Sequence, residues 1–170
     1  MVTFPWVTGK VRKGDVYTVL NYVAEQFNKR VEKIVKAKSW GWAYRDIRGA
    51  SKLSNHASGT AVDFNAPDHW LGAVGTFTKT QEAEIRKILQ EVEGVVRWGG
   101  DYSGRKDEMH FEINLQPKGS AANVKRVADR IRGVVVPPTI RKGSKGATVK
   151  QWQTLLRKLG FKQDILNKIS

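Results

Sequence analysis

The chain has 170 residues, a length that suits one well-packed domain with a small appendage, and its lack of cysteine excludes disulfides and thiolate-bound metals. No segment approaches the roughly 18 apolar residues of a membrane span, and the N-terminal residues lack the apolar core of a signal peptide, so we expect neither membrane insertion nor a Sec-type address. The net charge of +14 is uneven, because residues 119–170 carry 12 Lys and Arg against 2 Asp and Glu, a net of +10. Such a basic segment predicts a polyanionic partner: nucleic acid, anionic lipid or cell-wall polymers.

An apolar stripe near the N-terminus predicts the first helix. Asp15 is the expected N-cap, and apolar residues then recur at steps of three and four. They are Val16, Leu20, Val23, Phe27, Val31 and Ile34. The segment SWGWAYRDIRG (39–49) breaks this period and predicts a short strand followed by a turn.

Two later segments predict short strands with one polar face each. In TAVDF, Asp63 alternates with the apolar Val62 and Phe64, and in HFEINL, His110 alternates with apolar residues in the same way. The turn-like segment SNHASG precedes the first of these strands. Asp63 and His110 are therefore expected on the polar faces of their strands.

The remaining segments predict two more helices and one buried strand. Thr78 and Gln81 form a capping box that opens a helix ending before Gly94. GVVRWGGD predicts a buried strand that runs into a glycine turn, SAANVKRVADRIRG a basic helix, and VVVPP a stiff linker.

This order of elements predicts an α+β fold, with a small antiparallel sheet flanked by helices and a short C-terminal helical segment. We expect a main domain over residues 1–118, a basic helix and Pro-containing linker over 119–138, and a further unit over 139–170.

The three histidines suggest a metal site. A catalytic zinc ion commonly takes three protein ligands from histidine and carboxylate and leaves a fourth position for water. His56, Asp63 and His110 meet that need, and the Ser-Gly pair between the first two permits a tight turn. Spacing alone leaves an alternative open, in which His56 caps a turn, Asp63 pairs with an arginine and His110 is an ordinary strand residue.

A zinc hydrolase also needs a base that takes a proton from water and delivers it to the leaving amine. Asp107 stands three residues before His110, and Glu108 stands two residues before it. Either side chain can reach the fourth ligand position from a loop that feeds the strand.

Several polar and aromatic residues near these motifs have competing interpretations. We expect His69 at a cleft edge or on the surface, and Trp98 in a structural role. Trp70 and Tyr102 are open candidates for a substrate groove. Asp101 either orients a ligand histidine or caps a turn.

Three blocks of sequence, SNHxxGxAxD, WGGD and DxMHFE, occur in an order that resembles a known family. It is the zinc D,D-carboxypeptidase and L-alanyl-D-glutamate endopeptidase superfamily, which includes vancomycin-resistance-type carboxypeptidases and many bacteriophage endolysins. The resemblance implies that His56, Asp63 and His110 are zinc ligands and that Asp107 is the catalytic acid/base. Glu108 remains the alternative base.

The resemblance also bears on the reaction. The carboxypeptidases tend to have glutamate where this chain has Asp107, and this difference favours an endopeptidase. An arginine before the first histidine is typical of the family, where it stabilises the substrate carbonyl. Arg45 is the first candidate and Arg48 the second, with a surface salt bridge as the alternative for each.

The segment KGSKGATVKQWQTLLRKLGF (142–161) resembles the start of a three-helix peptidoglycan-binding module, with Trp152 where leucine is usual. Such a module needs about twice the residues that remain. Residues 139–170 are therefore interpreted as a partial, truncated module or as an amphipathic helix docked on the enzyme.

Together these resemblances imply a zinc peptidase that hydrolyses stem peptides of bacterial peptidoglycan. The first expectation is a bacteriophage endolysin with L-alanyl-D-glutamate endopeptidase activity, made in the host cytoplasm without a signal peptide and acting on the wall after holin-mediated release. A cytoplasmic recycling enzyme of the host would also lack a signal peptide, so it is an alternative source of the same sequence features. The basic C-terminal segment would attract anionic wall polymers.

Three alternatives compete with the endopeptidase. A D-alanyl-D-alanine carboxypeptidase of the same superfamily is the first. The second is a basic nucleic-acid-binding protein or a His-metal nuclease, which the separation of the basic residues from the metal motif argues against. The third is a non-catalytic wall-binding protein, which the presence of Asp107 argues against.

Overall fold

The computed structural model describes residues 1–43, 54–133 and 145–158. It divides the chain into two compact units, Met1–Gly133 and Val134–Ser170. The described residues confirm the α+β class. The helices are α1 (Asp15–Arg30), α2 (Lys79–Glu91), α3 (Ala121–Ile131) and α4 (Ala147–Lys158). The strands are β1 (Val2–Thr3), β2 (Lys10–Val11), β3 (Ala61–Asp63), β4 (Val96–Trp98) and β5 (His110–Ile113).

The central sheet is antiparallel, with the strand order β3-β5-β4. One face of the sheet packs on the core through aromatic rings. Phe27 of α1 lies 5.1 Å from Phe64 and 5.5 Å from Phe111, measured between ring centroids. Trp98 and Phe77 extend the same cluster. The alternation of apolar residues in β3 and β5 therefore directs one set of side chains into the core.

The helix termini follow local sequence signals to different degrees. The predicted capping box of α2 is confirmed, since Thr78 accepts from the backbone of Gln81 and the Gln81 side chain accepts from the backbone of Thr78. The prediction of Asp15 as an N-cap was wrong. Gly14 occupies the cap position of α1 and Asp15 is the first helical residue, where its charge favours the helix dipole.

Helix α3 packs against α1, so the first compact unit continues to Gly133, beyond the expected boundary at residue 118. The cations of α3, and Arg132 directly after it, form ion pairs with carboxylates of the same unit. These pairs are Lys125–Asp129, Arg126–Glu93, Arg130–Glu93, Arg132–Asp129 and Arg132–Asp15. The basic charge of α3 is thus largely balanced by neighbouring acidic side chains.

The second unit contains α4, which begins at Ala147 inside the predicted amphipathic segment. Val149 is buried and Trp152 is half-buried, as the predicted apolar stripe requires. The VVVPP linker and Leu159 lie outside the described residues. Among the helices of the described residues, none has both the length and the apolar content that crossing a bilayer requires.

Candidate metal centre

Three side chains from separate parts of the chain converge on one buried point. His56, Asp63 and His110 each offer one ligand atom, and these atoms all lie within 4.8 Å of one another. Asp63 Oδ1 lies 3.1 Å from His56 Nε2 and 2.8 Å from His110 Nδ1, and the two nitrogens are 3.2 Å apart. The structure thus brings together all three residues that the sequence nominated as ligands.

The sheet register places two of these residues directly opposite each other. Asp63 on β3 pairs with His110 on β5, and residues opposite each other on antiparallel strands hold their side chains on one face. The backbone of Asp63 also exchanges two hydrogen bonds with Trp40, at 2.8 and 2.9 Å. Asp63 is therefore fixed from both sides.

His56 reaches the same point from the turn before β3. Gly59 closes that turn with φ near +68°, a conformation that glycine adopts without strain, and its N–H donates to the His56 carbonyl at 3.0 Å. The Ser-Gly pair thus makes the tight turn that the sequence predicted.

Each histidine has a second hydrogen-bond partner that directs one ring nitrogen toward the cluster. His56 Nδ1 lies 2.7 Å from the Gly41 carbonyl oxygen, which only accepts, so Nδ1 carries the proton and Nε2 presents a lone pair. His110 Nε2 lies 3.2 Å from Glu112 Oε2, so a proton on Nε2 leaves Nδ1 directed at Asp63. Outer partners of this kind orient histidine ligands in metal sites.

Asp63 and His110 shift each other's pKa. Burial alone would lower the pKa of His110, but its hydrogen bonds to Asp63 and Glu112 prevail and raise that pKa to about 10. Burial opposes ionisation of Asp63, yet its close contacts with His110 and His56 hold its pKa well below the usual range. A buried carboxylate and two imidazole nitrogens therefore converge where a cation is favourable.

Asp107 lies in the wall of the cavity that contains the cluster. This cavity has a volume of about 480 Å³, and its lining includes His56, Asp63, His110 and Asp107. The backbone N–H of Asp107 donates to the Gly99 carbonyl at 3.1 Å, and its carbonyl accepts from the His110 N–H at 3.0 Å. Asp107 and His110 are thus linked through the backbone at the start of β5.

Gly99 explains why the WGGD block accompanies these residues. A Cβ atom at Gly99 would overlap the backbone carbonyl of Asp107. Only glycine permits the two segments to approach this closely. The block thus lets the loop that carries Asp107 pack against the end of β4.

Glu108, the alternative base, points elsewhere. Its carboxylate accepts from the backbone N–H groups of Gly75 and Thr76 at 2.7 and 2.8 Å, and from the Thr76 hydroxyl. These hydrogen bonds outweigh burial and lower its pKa. Glu108 therefore anchors a neighbouring loop, whereas Asp107 lines the cavity.

Arg45 and Arg48 lie outside the described residues. Trp98 is buried and its indole N–H donates to the Glu108 carbonyl at 2.6 Å, which confirms a structural role. Trp70 and Tyr102 both line the cavity. Asp101 instead pairs with Arg86 on the surface, at 2.9 Å.

The expectation that His69 lies at a cleft edge or on the surface was wrong. His69 is 3% exposed, stacks on Phe77 and lies 2.9 Å from Glu32 Oε1 and 2.6 Å from Thr76 Oγ1. A buried imidazole needs partners for both nitrogens, and Glu32 comes from a segment 37 residues earlier in the chain. Sequence reasoning had no local signal for that pairing.

Sequence reasoning also missed the two outer partners. Glu112 was within reach, because the alternation that placed His110 on the polar face of β5 places Glu112 on the same face two residues later. Gly41 contributes only a backbone carbonyl, which no side-chain pattern can reveal.

The residues present fit a zinc ion. Two imidazoles and one carboxylate are a donor set that catalytic zinc sites use, and both imidazoles have their second nitrogen occupied by an acceptor. The three side chains line a cavity, so a metal ion bound by them would be accessible to a substrate.

Comparison with known families agrees with this chemistry. Residues 48–113 match the model of a family described as D-alanyl-D-alanine carboxypeptidase. This segment is similar to that peptidase family. The matched range contains Asp107 and all three residues of the cluster, and it supports a hydrolase of the peptidase class. No curated protein and no solved structure matches the chain.

Proposed function

We propose that this protein is a zinc-dependent peptidase that hydrolyses stem peptides of bacterial peptidoglycan, as a bacteriophage endolysin with L-alanyl-D-glutamate endopeptidase activity. The observation that carries the proposal is the buried cluster of His56, Asp63 and His110 with Asp107 in the wall of the same cavity. The family match to residues 48–113 supports the peptidase class independently of this geometry.

The roles of the residues follow from their positions. His56 Nε2, His110 Nδ1 and a carboxylate oxygen of Asp63 would hold the zinc ion, which when bound polarises a peptide carbonyl and acidifies water. A carboxylate oxygen of Asp107 takes the proton from the attacking water and later gives it to the leaving amine nitrogen. Arg45 is proposed to stabilise the charge that develops on the carbonyl oxygen.

The cavity wall suits a peptide of small residues that carries free carboxylates. Trp40, Trp70 and Leu71 provide apolar surface, and Trp40 and Trp70 remain 44% and 61% exposed at its edge. Arg105 contributes a cation to the same lining and lies against Gly72 and the Leu71 carbonyl. Peptidoglycan stem peptides combine alanine methyl groups with free carboxylates, and this wall complements both.

A D-alanyl-D-alanine carboxypeptidase is the second candidate, because the matching family carries that description. Asp107 in place of glutamate favours the endopeptidase. The two activities release different products, so they are separable in one assay.

Residues 139–170 are proposed to assist binding to the wall as a partial peptidoglycan-binding module, with basic residues that attract anionic wall polymers. The ion pairs of α3 modify this part of the proposal. The cations of α3 and Arg132 are paired with carboxylates of the first unit. The cations that follow Gly133 are therefore proposed to provide most of the attraction to anionic wall polymers.

The test incubates the zinc-loaded protein with purified cell walls and, separately, with plasmid DNA. New amino termini from the walls are expected, and Asp107→Ala should abolish them. Mass analysis of the fragments then separates cleavage at L-Ala–D-Glu from release of terminal D-Ala. Nicked plasmid with intact walls would refute the peptidase and support the nuclease, while binding to walls without cleavage would support a non-catalytic wall protein.

A further inference from the structure

Glu112 is a buried carboxylate that the proposed reaction does not use directly. It is 4% exposed and lies on β5, two residues after His110. Four side chains converge on its two oxygens. They are His110, Asn55, Arg97 and Tyr102. Burying a carboxylate is costly unless it is paired and hydrogen-bonded, and these four side chains meet that requirement. Because His110 is one of them, the contacts of Glu112 bear on the histidine–aspartate cluster.

We propose that Glu112 is a positioning residue that sets the metal affinity of the site by fixing the His110 ring. This inference rests on the proposed zinc site. Glu112 Oε2 lies 3.2 Å from His110 Nε2, while His110 Nδ1 points to Asp63. An anionic acceptor on Nε2–H fixes the tautomer, holds the ring plane and makes Nδ1 a stronger donor to a cation.

The same carboxylate also steadies the segment that carries the other histidine. Asn55 Nδ2 donates to Glu112 Oε2 at 2.5 Å, and Asn55 directly precedes His56 in the turn. The Asn55 carbonyl meanwhile accepts from Thr60 N–H, which closes that turn. One oxygen of Glu112 therefore contacts one histidine and the residue adjacent to the second.

The other oxygen, Oε1, accepts hydrogen bonds from β4 and from the segment that follows β4. Arg97 is the cross-strand partner of Glu112, and its Nε donates to Oε1 at 2.5 Å. The Tyr102 hydroxyl donates to the same oxygen at 2.6 Å, and the Arg97 guanidinium lies over the Tyr102 ring. These contacts balance the charge of Glu112 and leave its other oxygen aimed at His110.

The experiment measures zinc affinity by competition with a fluorescent chelator, for the full chain and for Glu112→Ala and Glu112→Gln. Loss of an outer partner of a metal ligand typically costs 10-fold to 100-fold in metal affinity. We expect a loss of about 100-fold for the alanine variant and about 10-fold for glutamine, whose amide oxygen still accepts Nε2–H without the charge. Nitrogen NMR of the zinc-loaded protein supplies a second readout, because the His110 Nε2–H signal should exchange rapidly with water only in the alanine variant.

Glu108→Gln is the matched control, since Glu108 is equally buried and lies two residues before His110 but directs its carboxylate to the backbone of Gly75 and Thr76. Its zinc affinity should stay within about threefold of the unmodified protein, which would separate positioning from general loss of packing. If Glu112→Ala does not fold, the isosteric Glu112→Gln carries the test. Zinc affinity of Glu112→Gln within threefold of the unmodified chain would overturn the inference. Failure of the unmodified chain to bind zinc would instead overturn the zinc site itself and the inference with it.

Discussion

Glu32 is predicted to stabilise the fold through a polar network with the buried side chains of Asn65 and His69. Glu32 Oε1 accepts from Asn65 Nδ2 at 2.5 Å and lies 2.9 Å from His69 Nε2. Asn65 and His69 are only 4% and 3% exposed, so neither can exchange its lost partner for bulk water. Glu32→Ala therefore leaves two buried donors without this acceptor.

The magnitude follows from these contacts. A buried polar group that loses its partner costs about 1 to 3 kcal/mol. Asn65 Nδ2 keeps a second acceptor, the Lys33 carbonyl at 2.9 Å, so its share lies at the lower end. We expect a total of about 3 kcal/mol in the free energy of unfolding, equivalent to a fall of about 10 °C in Tm.

Thermal unfolding followed by circular dichroism measures this loss. Glu25→Ala is the control, because Glu25 is an exposed residue of α1 whose carboxylate accepts from Asn21, and surface changes of this kind stay within about 0.5 kcal/mol. A loss below about 1 kcal/mol for Glu32→Ala would refute the reasoning that the network needs this acceptor.

The same carboxylate predicts a pH dependence of stability. Burial would raise the pKa of Glu32, but hydrogen bonds from His69 and Asn65 prevail and lower it. A depressed pKa in the folded state stabilises the protein above the unfolded value of about 4.3, and this stability is lost as the pH falls through the folded value. The difference in stability between the unmodified chain and Glu32→Gln should therefore be largest above about pH 5 and should close at lower pH.

Two further predictions concern the loop that carries Asp107. Gly99→Ala should cost about 1 to 3 kcal/mol and reduce kcat, because the added methyl group overlaps the Asp107 carbonyl, whereas Gly104→Ala, with open space around its Cβ, should change neither quantity. Equal activity of the two variants would contradict the close approach. Arg105→Gln should raise KM about 10-fold or more with little change in kcat if Arg105 binds a substrate carboxylate, since hydrogen bonds to charged groups contribute about 1.5 to 3 kcal/mol. Lys106→Gln removes the same charge one residue along the loop, and an equal rise in KM there would indicate a general electrostatic effect.

The sequence predicted those features that depend on neighbours along the chain. The capping box of α2, the apolar stripe of α1 and the alternation in β3 and β5 are local patterns with periods set by the helix and the strand. The order of three short motifs nominated His56, Asp63 and His110, and the structure brings them together. The turn at Gly59 could also be predicted from the sequence, because a positive φ favours glycine.

Tertiary structure decided the features that depend on pairing between distant segments. The strand register made Asp63 and His110 direct neighbours and set Arg97 opposite Glu112. Sequence alone left Glu108 and Asp107 as alternative candidates for the base. In the structure the Glu108 carboxylate binds the backbone of Gly75, and Asp107 lines the cavity. Buried polar groups need hydrogen-bond partners, and the tertiary fold determines which residues lie close enough to provide them. His56 has the backbone carbonyl of Gly41 as its partner and His110 has the carboxylate of Glu112. Neither pairing follows from a repeating pattern in the local sequence.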